Sequence, residues 1–237
     1  MARKRKTRPS AARPAASRDG SAKEKIIDAF LALLAEKSYE QIGLAEIADR
    51  AGVSLADLRA EFGSTFAIIA AHVKEIDRSV LADIDADMAE EPAREQLFDV
   101  LMRRLELLSP HKEAVRSLMR SAMRNPALAL ALNALAVRSQ QWMLTAANIT
   151  AAGPLGQLRA QGLALLFANV LRIWVDDDEK GLPRTLAALD RALASGQRWA
   201  GLLDDVCRIP ENICKRVSRR RGRSRKSDRA GDEAAAA

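Results

Sequence analysis

The chain has 237 residues and a formal net charge of +7, with 48% hydrophobic, 29% charged and only 4% aromatic residues. That length can bury one or two small cores. Its two cysteines, Cys207 and Cys214, have no histidine at ligand spacing, which argues against a disulfide scaffold or a zinc site. The charge sits at the ends. Residues 1–18 hold seven Lys or Arg and no acid, and residues 215–237 hold nine against three acids. These tails carry +7 and +6, which leaves −6 for the body between them.

Residues 1–20 are rich in Arg, Ala, Ser and Pro without apolar periodicity, and read as a basic disordered tail. No apolar stretch follows the basic start, so a secretory signal is not expected; a mitochondrial transit peptide is a formal alternative. The first helix reads KEKIIDAFLALLA, with Ile26, Ile27, Phe30, Leu33 and Leu34 on one stripe. Next come Leu44, Ile47, Ala48 and Ala51 at i, i+3, i+4 and i+7. Gly52 stands where a helix end needs positive φ, and Ser54 with Asp57 three residues on starts a new helix with a capping box. Leu58 and Phe62 continue the inward face. Two helices hinged at a glycine in this way are either a plain helical hairpin or a helix-turn-helix that sets its second helix in a DNA major groove.

Past this unit, punctuation divides the chain into further helices. Ser64 can start a helix over Thr65 to about Ala89, which stops before Pro92. Others fit 93–108, 111–124, 127–150 and 155–176, separated by Ser109-Pro110, Asn125-Pro126 and Gly153-Pro154. The run Asp176-Asp177-Asp178-Glu179 reads as an exposed acidic loop. Pro183 opens the last long helix, with Leu186, Leu189, Leu193, Gly196, Ala200 and Leu203 at steps of three and four. The pattern is all-α throughout.

The residues Ile26-Ile27-Asp28-Ala29-Phe30, Ile47-Ala48-Asp49-Arg50-Ala51-Gly52-Val53-Ser54, Leu58 and Phe62-Gly63-Ser64, in the order helix, helix-turn-helix, long helix, resemble the TetR family of bacterial transcriptional regulators. The likeness is specific over about residues 22–70 and architectural beyond. It implies a three-helix DNA-binding head over 21–66 and an effector-binding and dimerisation core of about six helices over 67–206; the dense like charge beyond reads as a second basic disordered tail over 207–237. The likeness also implies a cytoplasmic, ligand-responsive regulator, by family habit a repressor, that reads a palindromic operator as a homodimer. The implied DNA contacts are Gly43, Leu44, Ala45, Ser54, Leu55, Ala56, Asp57, Arg59, Ala60, Phe62 and Thr65. The sequence departs from the family pattern where a tyrosine is usual at Arg59, a lysine at Thr65, a glycine at Ala56 and a threonine at Asp57.

Burying the last two helices inside one chain is one reading of their small residues Gly162, Ala168, Ala192 and Gly196; close approach of a symmetry mate across about 155–203 is the other. The bulky residues available to line a pocket for a small apolar effector are Met102, Met119, Met123, Trp142, Met143, Phe167 and Trp174. At any one of these positions plain core is the commoner role. His72 and His111 have no metal-ligand neighbours in sequence, and no phosphate loop or nucleophile elbow occurs, so neither catalysis, a metal nor a cofactor is expected. No apolar run is long enough for a membrane span. A second function class comes from Leu166 to Asp190, which is similar to a segment of ubiquinone-biosynthesis accessory proteins. Those share the TetR-like fold but bind lipid instead of DNA.

Overall fold

A computed structural model of the chain describes residues 21–84, 90–150 and 152–196, and all the regular structure among them is helical. In chain order these are α1 (Ala22–Glu36), a 3-10 turn (Tyr39–Gln41), α2 (Leu44–Ala51), α3 (Leu55–Glu61), α4 (Thr65–Ala82) and α5 (Ala93–Leu108). A second 3-10 turn (Ser109–His111), α6 (Lys112–Arg124), α7 (Pro126–Ala146) and α8 (Gly153–Trp174) follow. A further helix, α9, covers residues 183–196. The expected tails over 1–20 and 207–237, and the expected end of the last helix, lie outside the described residues.

The described residues fall into two compact units. The first takes in 21–74 and 113–121, so it extends into α4 and includes the middle of α6. Ser21 starts α1 with a capping box: its hydroxyl accepts from the Glu24 amide, and the Glu24 carboxylate accepts from the Ser21 amide at 2.8 Å. Ile26, Phe30, Leu33 and Leu34 of α1 are buried with Ile47 and Ala48 of α2 and Leu58 of α3. Each large side chain so buried contributes roughly 1.5–3 kcal/mol. Arg50 of α2 grips Glu36 of α1 through both carboxylate oxygens, at 2.9 and 2.8 Å. Because that pair is exposed, it orients α2 more than it stabilises the fold. Two serines of α6 close the unit: Ser117 donates to the Lys37 carbonyl at 2.8 Å, and Ser121 accepts from the Tyr39 amide at 3.1 Å.

The second unit holds 75–112 and 122–196. It is built on α7 packed along α8, with α5 against α7. Its core joins Leu97, Leu101 and Leu105 of α5, Met143 of α7, Phe167, Val170 and Trp174 of α8, and Leu189 of α9. A charged cluster lies inside this apolar set. Asp77 accepts from the Arg104 guanidinium and, at 2.7 Å, from the Ser139 hydroxyl. The Arg104 guanidinium also lies 5.7 Å from the centre of the Phe167 ring. Arg104 is only 5% exposed and Asp77 8%.

Two helix ends and the acidic run differ from the sequence expectation. The helix beginning at Thr65 stops at Ala82 instead of reaching Ala89. Asp83 and Asp85 would place carboxylates at a helix C-terminus, where the dipole disfavours them. α7 ends at Ala146 rather than 150 because Asn148 turns to φ 56° and the Ile149 amide returns to the Leu144 carbonyl at 2.9 Å. The acidic run after α8 is not wholly exposed: Asp177 is 1% exposed. Its carboxylate accepts from the Thr185 amide at 2.8 Å and hydroxyl at 2.7 Å, fastening the start of α9. Burial pushes the Asp177 carboxyl pKa up, but the Thr185 donors, with the Arg184 charge and the Glu179 amide, together hold the group below the ordinary carboxylate value.

Candidate nucleic-acid interface

The head is organised around one left-handed residue. Gly52 closes α2 at φ 66°, a conformation costly for other residues. From there the Val53 amide reaches back to the Ala48 carbonyl at 3.1 Å. The chain is thereby aimed so that Ser54 caps α3. The Ser54 hydroxyl accepts from the Asp57 amide at 3.1 Å, and the Asp57 carboxylate accepts from the Ser54 hydroxyl at 2.7 Å and amide at 3.2 Å. These bonds, that from the Ser54 hydroxyl foremost, hold the Asp57 carboxyl below its ordinary pKa. Asp57 is thus turned onto the helix start, where the dipole favours an anion.

One face of the two helices is left to solvent. Gly43, Leu44 and Ala45 at the start of α2, and Ser54, Leu55, Ala56, Asp57, Arg59 and Ala60 along α3, are all exposed; Leu55 is 55% exposed. Leu58 is buried on the opposite face. An exposed leucine at a helix start suits apolar contact with a thymine methyl group, and an arginine one turn on suits a phosphate or a guanine edge. Arg59 is in no ion pair or hydrogen bond among the described residues. Its Nη1 lies 3.6 Å from the point where a Cβ on Gly63 would stand.

Two of the eleven expected contact residues are placed otherwise. Phe62 is 5% exposed and belongs to the core, since Leu58 and Phe62 share the inward face of α3. Thr65 is half-buried, and its hydroxyl is bonded to the Tyr39 hydroxyl at 2.9 Å. The Tyr39 ring meets Phe30 edge-on at 6.5 Å, so Thr65 serves the packing of the head.

The residues expected around an effector pocket are not gathered at one site. Met123 is 73% exposed and Trp142 58%, both on the surface. Met119 belongs to the first unit and the other six to the second. Phe167 lies under Arg104, and the Lys112 ammonium stands 5.8 Å from the Trp174 ring centre, so those two aromatics pack the core. Met102 is half-buried. The cavity in the second unit, about 490 Å³, lies elsewhere, between α5, α7, α8 and α9. Its small residues were visible in the sequence but suggested close helix approach instead of space. Arg104 was also visible, as a charge on the Leu97–Leu101–Leu105 stripe.

Similarity to solved structures follows this geometry. The structure matches a TetR transcriptional regulator from Nitrosomonas europaea at a TM-score of 0.59 and 23% identity, over 74% of this chain and 97% of that one. This is a TetR fold. A TetR-family regulator from Streptomyces coelicolor matches at 0.52 and 16% identity, over 78% and 83% of the two chains. One from a Rhodococcus species matches at 0.50 and 21% identity, over 74% and 95%. No family model and no curated protein sequence matches the chain. In this TetR fold the helix-turn-helix spans α2 and α3. Among the described residues no helix is long and apolar enough to cross a membrane, and no group of His, Cys, Asp or Glu could hold a metal ion.

Proposed function

We propose that the protein is a DNA-binding transcriptional regulator of the TetR kind, reading a two-fold operator as a homodimer in the cytoplasm and responding to a small apolar effector. The observation that carries this reading is the exposed face of α2 and α3, held by the Gly52 turn and the Ser54–Asp57 cap while Leu58 anchors the opposite side. Arg59→Ala should weaken specific binding by about 1–3 kcal/mol if the guanidinium reads a base edge. Fluorescence anisotropy with an operator fragment checks this; an unchanged affinity in a folded variant would remove Arg59 from the interface.

Dimerisation is expected across α8. Leu165 is 60% exposed, and a Cβ on Gly162 would meet nothing within 4 Å. A Cβ on Gly196 would lie 3.7 Å from the Leu166 side chain, an ordinary contact distance. Leu165→Glu should therefore give a folded monomer that has lost most of its operator affinity, because one head grips only half of a two-fold site. Sedimentation of wild type and variant decides it: a monomeric wild type at micromolar concentration contradicts the two-headed model.

A lipid-binding accessory protein of the same fold is the second reading. What favours it is the charge of the head, where residues 21–74 hold six Lys or Arg against eight Asp or Glu. Absence of DNA binding by a folded dimer would select it.

A further inference from the structure

Between α5, α7, α8 and α9 the second unit holds a cavity of about 490 Å³, within the range that accepts small organic ligands. Leu97, Leu144, Ile149, Leu163, Leu166 and Leu193 are its apolar walls, and the four leucines at 97, 144, 163 and 193 are buried. A cavity of about 150 Å³ with walls of this kind stays dry and takes one benzene ring. This one has about three times that volume, enough for two or three fused rings. Its α8 lining runs from Leu158 to Leu166, roughly 12 Å of helix. Spread over that length, the volume is about 6–7 Å across, wider than one alkyl chain at the usual carbon contact distance of about 4 Å. The space suits a compact molecule better than an extended chain.

Three polar side chains are on the lining among the described residues, and each is engaged by the protein. Arg94 is held by the carboxylates of Asp190 and Glu95. Arg159 donates to the Thr150 carbonyl at 3.2 Å, and the Ser195 hydroxyl donates to the Arg191 carbonyl at 2.9 Å. A charged occupant would have to shed its hydration among leucines or draw a guanidinium from its present acceptors, and either costs affinity. An uncharged, apolar occupant incurs neither cost.

We propose that this cavity binds an uncharged, hydrocarbon-like molecule of two or three fused rings. That such a molecule is the effector rests on the regulator reading above; that it binds does not.

Equilibrium dialysis of the full-length protein against naphthalene, 2-naphthoate and decanoate tests the site. Naphthalene should saturate at one per protomer, and both acids should bind at least about tenfold more weakly. Ala93→Phe from α5 and Ala192→Phe from α9 should each fill the cavity and weaken naphthalene by about tenfold or more. Both positions lie off α8, whose exposed face carries the proposed dimer seam, so helical content and oligomeric mass should match wild type. No saturable naphthalene binding to the wild type overturns the proposal. So does either acid binding as tightly as naphthalene, or wild-type affinity in both filled variants. Should neither variant fold, the three probes on the wild type decide alone. DNA binding without naphthalene binding overturns the site alone, whereas naphthalene binding without DNA binding upholds the site and overturns the regulator reading.

Discussion

Deletion of residues 1–18 is expected to lower affinity for every duplex alike, by about a hundredfold or more near 0.1 M salt, and to flatten the salt dependence. Residues 21–74 have more acids than bases, so the head cannot supply the phosphate neutralisation that underlies most non-specific binding. Seven basic residues lie just ahead of α1, where an arm could follow the minor groove. If all seven meet phosphates, the slope of log K against log salt becomes shallower by as much as about six. The head's own cap begins at Ser21, so the truncated protein should keep its fold. Titrations at three or more salt concentrations check the result. An unaltered slope would mean that the tail only solubilises the chain.

Arg104→Met should be the most destabilising single change in the second unit. Arg104 is the cation facing the buried Asp77 carboxylate, whose other described partner is the neutral Ser139 hydroxyl. Breaking a buried ion pair from one side costs about 3–5 kcal/mol, because the remaining charge keeps its desolvation penalty. For a chain of this size that lowers the melting temperature by on the order of 10 °C. Adding Asp77→Asn to the same protein should recover much of the loss, since the orphaned charge is then gone. A single-variant loss below about 1 kcal/mol would show instead that water reaches the pair.

The head was the most legible part of the chain, because each of its devices is local in sequence. Gly52, the Ser54–Asp57 box and the Leu44–Ala51 period each act within one or two turns; the structure has the turn and the box where the spacing placed them, and of the period it buries Ile47 and Ala48 while Leu44 stays exposed. Thr65 was harder to read: its partner Tyr39 is 26 residues away, and nothing local announces that hydroxyl pair. The second unit was legible as helices but not as a site. Met123 and Trp142 are bulky and apolar, yet which side of α6 and α7 meets the core depends on long-range packing. Asp177 looked like one member of an acidic loop because Thr185, which buries it, lies on the next helix. The cavity is made by what is missing at Ala93, Gly162 and Ala192, and small residues look the same whether helices close on them or leave room.

The most direct test of a DNA-reading dimer is a binding titration of the full-length protein. It would use duplexes covering the upstream region of its own gene, beside a scrambled duplex, at several salt concentrations. The account predicts a preferred two-fold site that saturates at two protomers, with log affinity falling linearly against log salt. Equal binding of both duplexes at every salt concentration, or none, by a folded dimer would contradict it.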